Sequence, residues 1–335
     1  MKKWILFFFL IISVSAAHSQ ETSDSLPYAL YKNRVVLFSD LGFNSAPFTL
    51  KDDFNEGVGT LKFKHNLQLA MGLGIKYKWF GLRIGFGIPG NLRPKSRFGQ
   101  SQMFDLGMKF SLKKTFWDFE YHRNKGYVIV DANEWNDTLN DLRPNLLRPN
   151  TLAQSFSING WYLHNEDFKM AAVFGKVGHY NDPEGTFYIK GTLNLFGAGN
   201  EGQPLTPMEL IDTAQSKSFA NNMAALDLGL VPGYAYTGRI KNWRFSAFAG
   251  LGAVVQTKTY QFGGVTRGVL GLAPRVDLRF IAGYSKPNYF FWIVSDFDIK
   301  SIRFREMRYN QVYYQLKLVG GIRLKEKEKK KKRKS

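Results

Sequence analysis

Apolar and polar residues alternate along most of the chain with a period of two. From 61 to 79 the odd positions are Leu61, Phe63, His65, Leu67, Leu69, Met71, Leu73, Ile75, Tyr77 and Trp79. The even positions, from Lys62 to Lys78, are charged, amide or small, and only His65 interrupts the apolar series. Side chains of a strand point alternately to its two faces, so this stretch predicts a strand with one apolar face. Strands of soluble domains run to roughly five or six residues. This one is far longer, and suits a tilted membrane-crossing strand of about 9–11 residues that continues past the bilayer.

The alternation recurs. Leu82, Ile84, Phe86 and Ile88 are interleaved with Gly81, Arg83, Gly85 and Gly87, and Phe104 to Leu112 with Asp105, Gly107, Lys109 and Ser111. Near the end, Val312, Tyr314, Leu316 and Leu318 are interleaved with Tyr313, Gln315 and Lys317. Tight turns are expected near 78–81, 112–114, 164–167, 240–243 and 285–288, and long polar connections at 44–60, 89–101, 132–150 and 180–222. The strands predicted are 35–43, 61–78, 81–89, 102–112, 115–131, 151–163, 167–180, 222–238, 243–260, 265–284, 289–302 and 309–324, twelve in all. Short turns at one end and long loops at the other describe a transmembrane antiparallel β-barrel, with short periplasmic turns and long outer loops. An even count returns both termini to the periplasm. The strand-like segment 187–196 would break that parity if it spanned, so it is placed as a hairpin arm in an outer loop, with fourteen strands as the alternative. Trp79, Trp117, Trp161, Trp243 and Trp292, with Tyr284 and Tyr289, fall near the short turns, as an interfacial aromatic belt would.

The first residues read as an address. Lys2 and Lys3 precede an apolar run from Trp4 to Val14 and a small-x-small site at Ala17-His18-Ser19. This is the pattern of a secretory signal peptide over 1–19, leaving a periplasmic segment 20–34 before a barrel over 35–324. The mean hydropathy of −0.26 and the lack of a second long apolar run exclude a multi-helix membrane protein. The formal charge is +19. The tail 325–335 holds +6 of it and Lys2 and Lys3 another +2, leaving +11 on the body. The tail reads as a solvated, disordered run. No basic helix or nucleic-acid motif accompanies the charge, so nucleic acid is not an expected partner. The chain has no cysteine, which removes disulfides, thiolate metal sites and thiol catalysis.

Tyr77-Lys78-Trp79-Phe80-Gly81-Leu82 at the first turn, Gln102, Asp105, Trp117-Asp118, Tyr121 and Lys125-Gly126-Tyr127 carry a resemblance. They are similar to a family of Gram-negative outer-membrane barrels catalogued as a domain of unknown function, number four-four-two-one. The resemblance covers about residues 30 to 324. It implies an outer-membrane barrel and no known chemistry. Unlike many such barrels, this chain ends its last strand at Leu324 rather than on a terminal aromatic.

Two charged sets fall on lumenal faces. Folding the hairpin about Lys286-Pro287 pairs positions summing to about 573, so that Arg275 faces Asp298 and Asp277 faces Asp296 with Arg279 diagonal. This set reads as a salt-bridge network stiffening a narrow lumen, or as a constriction selecting charged solutes. The second set is Asp118, Glu120 and His122, one face of one strand, which could hold a metal or act as a base but reads first as a lumenal polar network. No G-x-S-x-G or phosphate-binding loop stands in a suitable context. No catalytic residue, metal or cofactor is assigned. The expected function is structural or binding, with membrane lipid as partner and a small solute or surface polymer as ligand. A small channel for charged solutes and a soluble periplasmic β protein are the alternatives.

Overall fold

The computed structural model describes residues 27–31, 34–112, 115–174, 176–214, 216–305 and 307–324. The segments 1–19 and 325–335, expected to be a leader and a solvated tail, lie outside the described residues. The long alternating runs form strands β2 (Val35–Ser45), β5 (Gln68–Tyr77), β6 (Phe80–Asn91), β7 (Gln102–Ser111), β8 (Thr115–Ile129) and β9 (Leu146–Leu163). The series continues with β11 (Glu184–Asn200), β12 (Asn222–Ile240), β13 (Trp243–Phe262), β14 (Val265–Ser285), β15 (Tyr289–Arg303) and β16 (Arg308–Leu324). Each pairs antiparallel with the next, and β16 closes on β2 from Leu324↔Val35 to Tyr314↔Ser45. The result is a closed twelve-stranded barrel, in which β14 and β15 pair from Val276↔Ile299 to Ser285↔Phe290.

The alternation sorts side chains as expected. On β12, Asp227, Val231 and Ala235 are buried while Leu226, Leu228 and Leu230 are exposed. Leu73, Ile84, Phe156, Leu195, Leu251, Leu272, Phe291 and Leu318 extend that exposed apolar band around the barrel.

Three expectations need correction. First, 167–180 is not a spanning strand. The seventh strand of the ring is β11, which contains the segment set aside as a hairpin arm. Met170-Ala171-Ala172-Val173-Phe174 is a continuous apolar run that makes a short helical turn (Met170–Val173), whereas 184–200 alternates. One strand replaces another between the same two ends, so the count and the parity survive. Second, the run 61–78 is two strands. Short strands β3 (Phe48–Lys51) and β4 (Thr60–Lys64) form a hairpin that pairs with β16 on one side and with β8 on the other. At the loop end β3 and β4 stand between β16 and β8 in place of β2, β5, β6 and β7.

The break lies at His65–Leu67. Leu67 has φ of +55°, a conformation that costs an L residue about 1–2 kcal/mol. Its N–H donates to His65 Nδ1 (3.1 Å), and His65 Nε2 lies 2.9 Å from the Ser45 hydroxyl. Across the break the apolar phase changes sides: Leu61 and Phe63 are buried inside the barrel, whereas Leu73 and Ile75 face outward.

Third, Trp161 and Trp292 are buried inside the barrel, while Trp79, Trp117 and Trp243 are exposed outside it. The belt is built from those three, with Tyr162 and Tyr289.

Both ends of the lumen are filled. At the short-turn end, the connection 164–183 folds inward. Phe168, Met170, Val173 and Phe174 pack on Phe116, Trp161, Tyr188, Phe248 and Trp292 from the wall. Strand β10 (Gly178–Tyr180) in this plug pairs with β1 (Tyr28–Leu30) of the N-terminal segment. Arg244 donates to Gly178 O (2.9 Å) and Ala172 O (2.8 Å), and Arg323 Nε to Lys176 O (2.8 Å). At the loop end, Phe54, Leu205 and Leu210 from the connections pack on Phe48, Phe63, Tyr127, Phe196 and Tyr309. Full burial of each such side chain contributes about 1.5–3 kcal/mol.

Candidate functional site: the lumenal charge network

Between the two apolar plugs the inward positions become charged. Burial of ions is tolerated when they are paired and hydrogen-bonded, and the inward faces supply both signs. All five residues of the β14–β15 set point inward, as do Asp118, Glu120 and His122 of β8. The sequence treated these as two sets. The structure joins them, because Arg279 bonds Asp296 and also places Nη1 4.0 Å from Asp118 Oδ2.

The expected register is off by one position on each strand. Asp277 faces Asp298 and Arg279 faces Asp296, a sum of 575 rather than 573. The turn is centred between Pro287 and Asn288, not between Lys286 and Pro287: Lys286 N–H donates to Tyr289 O (2.9 Å), and Pro287 has no N–H to donate. Arg275 lies just beyond the end of the β14–β15 ladder and faces no residue in register, though its Nη1 donates to Ile299 O (3.1 Å). Its guanidinium bonds Asp227 and lies 3.5 Å from Asp298. The facing carboxylates of Asp277 and Asp298 are compensated by Lys190 (2.9 Å) and Lys300 (3.4 Å) respectively.

Around the second set, His122 Nδ1 donates to Asp105 Oδ1 (2.9 Å), and the Tyr313 hydroxyl lies 3.0 Å from the same nitrogen. His122 Nε2 is 3.8 Å from Glu120, and Lys109 is 3.7 Å from the same carboxylate. Asn159 donates to Asp118 (2.9 Å). Arg83 binds Asp40 with two bonds (2.6 and 2.7 Å) and approaches Asp105 at 3.6 Å. The bidentate geometry is the strong form of this pair. Among the described residues no group of three His, Asp or Glu converges as a metal site.

Sequence reasoning missed Asp40, Arg83, Lys190, Asp227, Lys300 and Tyr313 as members of the network. The polar phase of each strand carries that signal, but linear order does not tell which strands meet across a lumen. Tyr313 of β16 and His122 of β8 stand five strands apart around the ring, as do Arg279 of β14 and Asp118 of β8. These contacts cross the lumen, so its walls approach closely.

The family described as "Domain of unknown function (DUF4421)" matches residues 23–319. No curated protein matches the chain. Among solved structures, the translocator domain of the autotransporter NalP from Neisseria meningitidis overlaps at TM-score 0.39 and 10% identity, over 96% of each chain. An outer-membrane channel from Pseudomonas putida F1 overlaps at TM-score 0.38 and 9% identity, over 91% of this chain and 100% of that one. The P. putida toluene transporter TodX overlaps at TM-score 0.31 and 7% identity, over 88% and 91%. At these values the overlaps bear on neither function nor ligand.

Proposed function

The chain belongs to the DUF4421 family, and from that premise we propose that it is an integral outer-membrane barrel with a closed lumen. Its role is that of a structural or ligand-binding component, not of an enzyme or an open pore. The outward apolar band and the closed ring support the membrane assignment: backbone groups in hydrocarbon must all be paired, which a closed barrel achieves. The exposed Trp79, Trp117 and Trp243 mark the interface at the short turns. On this reading those turns face the periplasm, the long loops face outward, and the partner of the outer wall is lipid.

The observation that carries the closed-lumen reading is the contact of Arg279 with both Asp296 and Asp118, directly above an apolar plug whose Phe174 ring lies 5.5 Å from the same guanidinium. A channel for charged solutes would require both barriers to leave. Each lumenal acid is tied to a cation or an amide, which favours a stiffening role over general acid–base work. Planar-bilayer recording of the full chain tests this: no step conductance is expected, and regular steps in the wild-type protein would overturn it. Heat-modifiable migration and recovery in the membrane fraction test the location; a protein released by osmotic shock would refute it.

A further inference from the structure

Just above the short-turn plug, the lumen holds a cavity of about 110 Å³. It exists because β6 and β7 present glycine inward. A Cβ built on Gly107 meets no atom within 4 Å, and one on Gly81 meets only the Lys76 side chain at 3.6 Å. The apolar part of its lining is Phe38, Ile281, Trp292 and Val319 from the wall and Phe174 from the plug.

The charges around this cavity do not balance. Six Lys or Arg residues line it against four carboxylates. The four acids are already engaged: Asp40 and Asp105 with Arg83, Glu120 with Lys109, and Asp296 with Arg279. That leaves Lys76, Lys176 and Lys317. Lys76 donates to the Ser111 hydroxyl (3.1 Å), and Lys176 lies over the Phe38 ring at 3.3 Å. Lys317 is only 7% exposed; its carboxylate neighbours Asp105, Asp40 and Asp296 lie beyond ion-pair distance, and among the described residues it makes no hydrogen bond. The indole Nε1 of Trp292, itself 4% exposed, is a buried donor with no acceptor. Buried amines and an indole N–H short of acceptors favour a guest that supplies an acceptor, and an anion most of all. An apolar wall with a few convergent polar groups is the usual form of a small-molecule site.

We propose that this cavity binds a small organic monoanion, a carboxylate with a short apolar body, with its charge toward Lys317 and its body against Phe38, Phe174 and Trp292. The volume limits that body. An apolar cavity of about 150 Å³ admits benzene, so a smaller one suits a chain of a few carbons. A separate groove at the short-turn end is lined by Trp79, Ser111, Phe116 and Met170. Ser111 borders that groove while Lys76 borders the cavity, so their hydrogen bond lies between the two.

The inference rests on the closed-barrel reading, and its test separates the two. Butyrate and its neutral near-isostere butyramide are titrated into the full-length protein in detergent, with calorimetry and tryptophan emission as readouts. Conductance is recorded on the same preparation. Saturable butyrate binding, at least ten-fold tighter than butyramide or inorganic phosphate, is expected. Gly107→Leu, which fills the cavity without a clash at Cβ, should abolish it, and Lys317→Met should weaken it at least ten-fold. Equal binding of butyramide, or no saturable binding by wild-type protein that migrates as a folded barrel, would overturn the proposal. So would unchanged affinity in folded Gly107→Leu. If a variant fails to fold, the wild-type comparison of the three ligands decides alone. Step conductance with intact butyrate binding would overturn only the closed lumen.

Discussion

Arg279 of β14 bonds Asp296 on the neighbouring strand and reaches Asp118 on the far wall, with Nη1 4.0 Å from Oδ2. One guanidinium thereby fixes both the local register and the width of the lumen. Asp118 is fully buried, and its Oδ2 has no hydrogen-bond partner besides this approach.

Removing the guanidinium should therefore cost more than one exposed ion pair. Arg279→Ala leaves two carboxylates without compensation in the lumen, and breaking a buried pair typically costs about 3–5 kcal/mol. Urea unfolding of the barrel in vesicles should show a loss of that order. A double substitution Arg279→Met with Asp296→Leu should recover part of it, because no unpaired partner remains on β15. An Arg279→Ala protein as stable as wild type would show that the network is well solvated and bears little on stability.

The plug is held by Arg244, whose two bonds to Gly178 O and Ala172 O come from a guanidinium that is itself buried. Hydrogen bonds to charged groups are worth about 1.5–3 kcal/mol each, so Arg244→Ala should loosen the connection 164–183. The chain has no cysteine, so Ala235→Cys provides a single thiol at a fully buried lumenal position facing the plug. That thiol should resist a membrane-impermeant maleimide in the otherwise wild-type protein. Adding Arg244→Ala should accelerate labelling by roughly ten-fold or more. Equal rates would mean that apolar packing alone seats the plug.

Acid should weaken the same element. His179 of β10 sits against the Tyr31 ring at 5.4 Å. Burial, and then the cationic Arg239 and Arg244, push its pKa down to about 4. Once released from the plug it regains an ordinary value near 6.5. Above pH 6.5 both forms are neutral and docking is at full strength. Between 6.5 and 4 the released form takes up a proton that the docked form refuses, so docking weakens as pH falls through that window. Labelled-histidine NMR should give a midpoint near 4 for His179. A midpoint near 6.5 would place the ring in open solvent.

The barrel class and strand number were legible because period-two alternation is a local property of each strand. What failed were the places where the chain obeys a non-local demand. The run from Leu61 to Trp79 keeps one apolar phase, yet lipid receives one half of it and the loop-end core the other. Leu and Phe suit both surroundings, and only His65 marks the break. The segment 167–180 looked like a strand because it is apolar and sits between turn signals, but its apolar residues are consecutive, as suits a plug packed on several sides. The β14–β15 charges were found from alternation. Their bond to β8 depends on barrel closure, which no hairpin argument contains.

The facing of β15 is open to a direct optical test. Trp292 and Asp296 share a strand and, being four residues apart, share a face. Trp292 is 4% exposed, whereas Trp243, at the turn joining β12 and β13, is 62% exposed. In single-tryptophan versions reconstituted with brominated lipid, Trp243 emission should be strongly quenched and Trp292 emission nearly untouched. Trp161, also on the lumenal side, should behave as Trp292 does. Strong quenching of Trp292 would turn β15 over. Asp296 and Asp298 would then meet hydrocarbon, where a charged Asp costs about 2.5–3.5 kcal/mol at the bilayer centre, and the bond from Arg279 to Asp296 would be lost with them. Protection of Trp292 together with quenching of Trp243 therefore checks the membrane assignment and the lumenal charge network in one measurement.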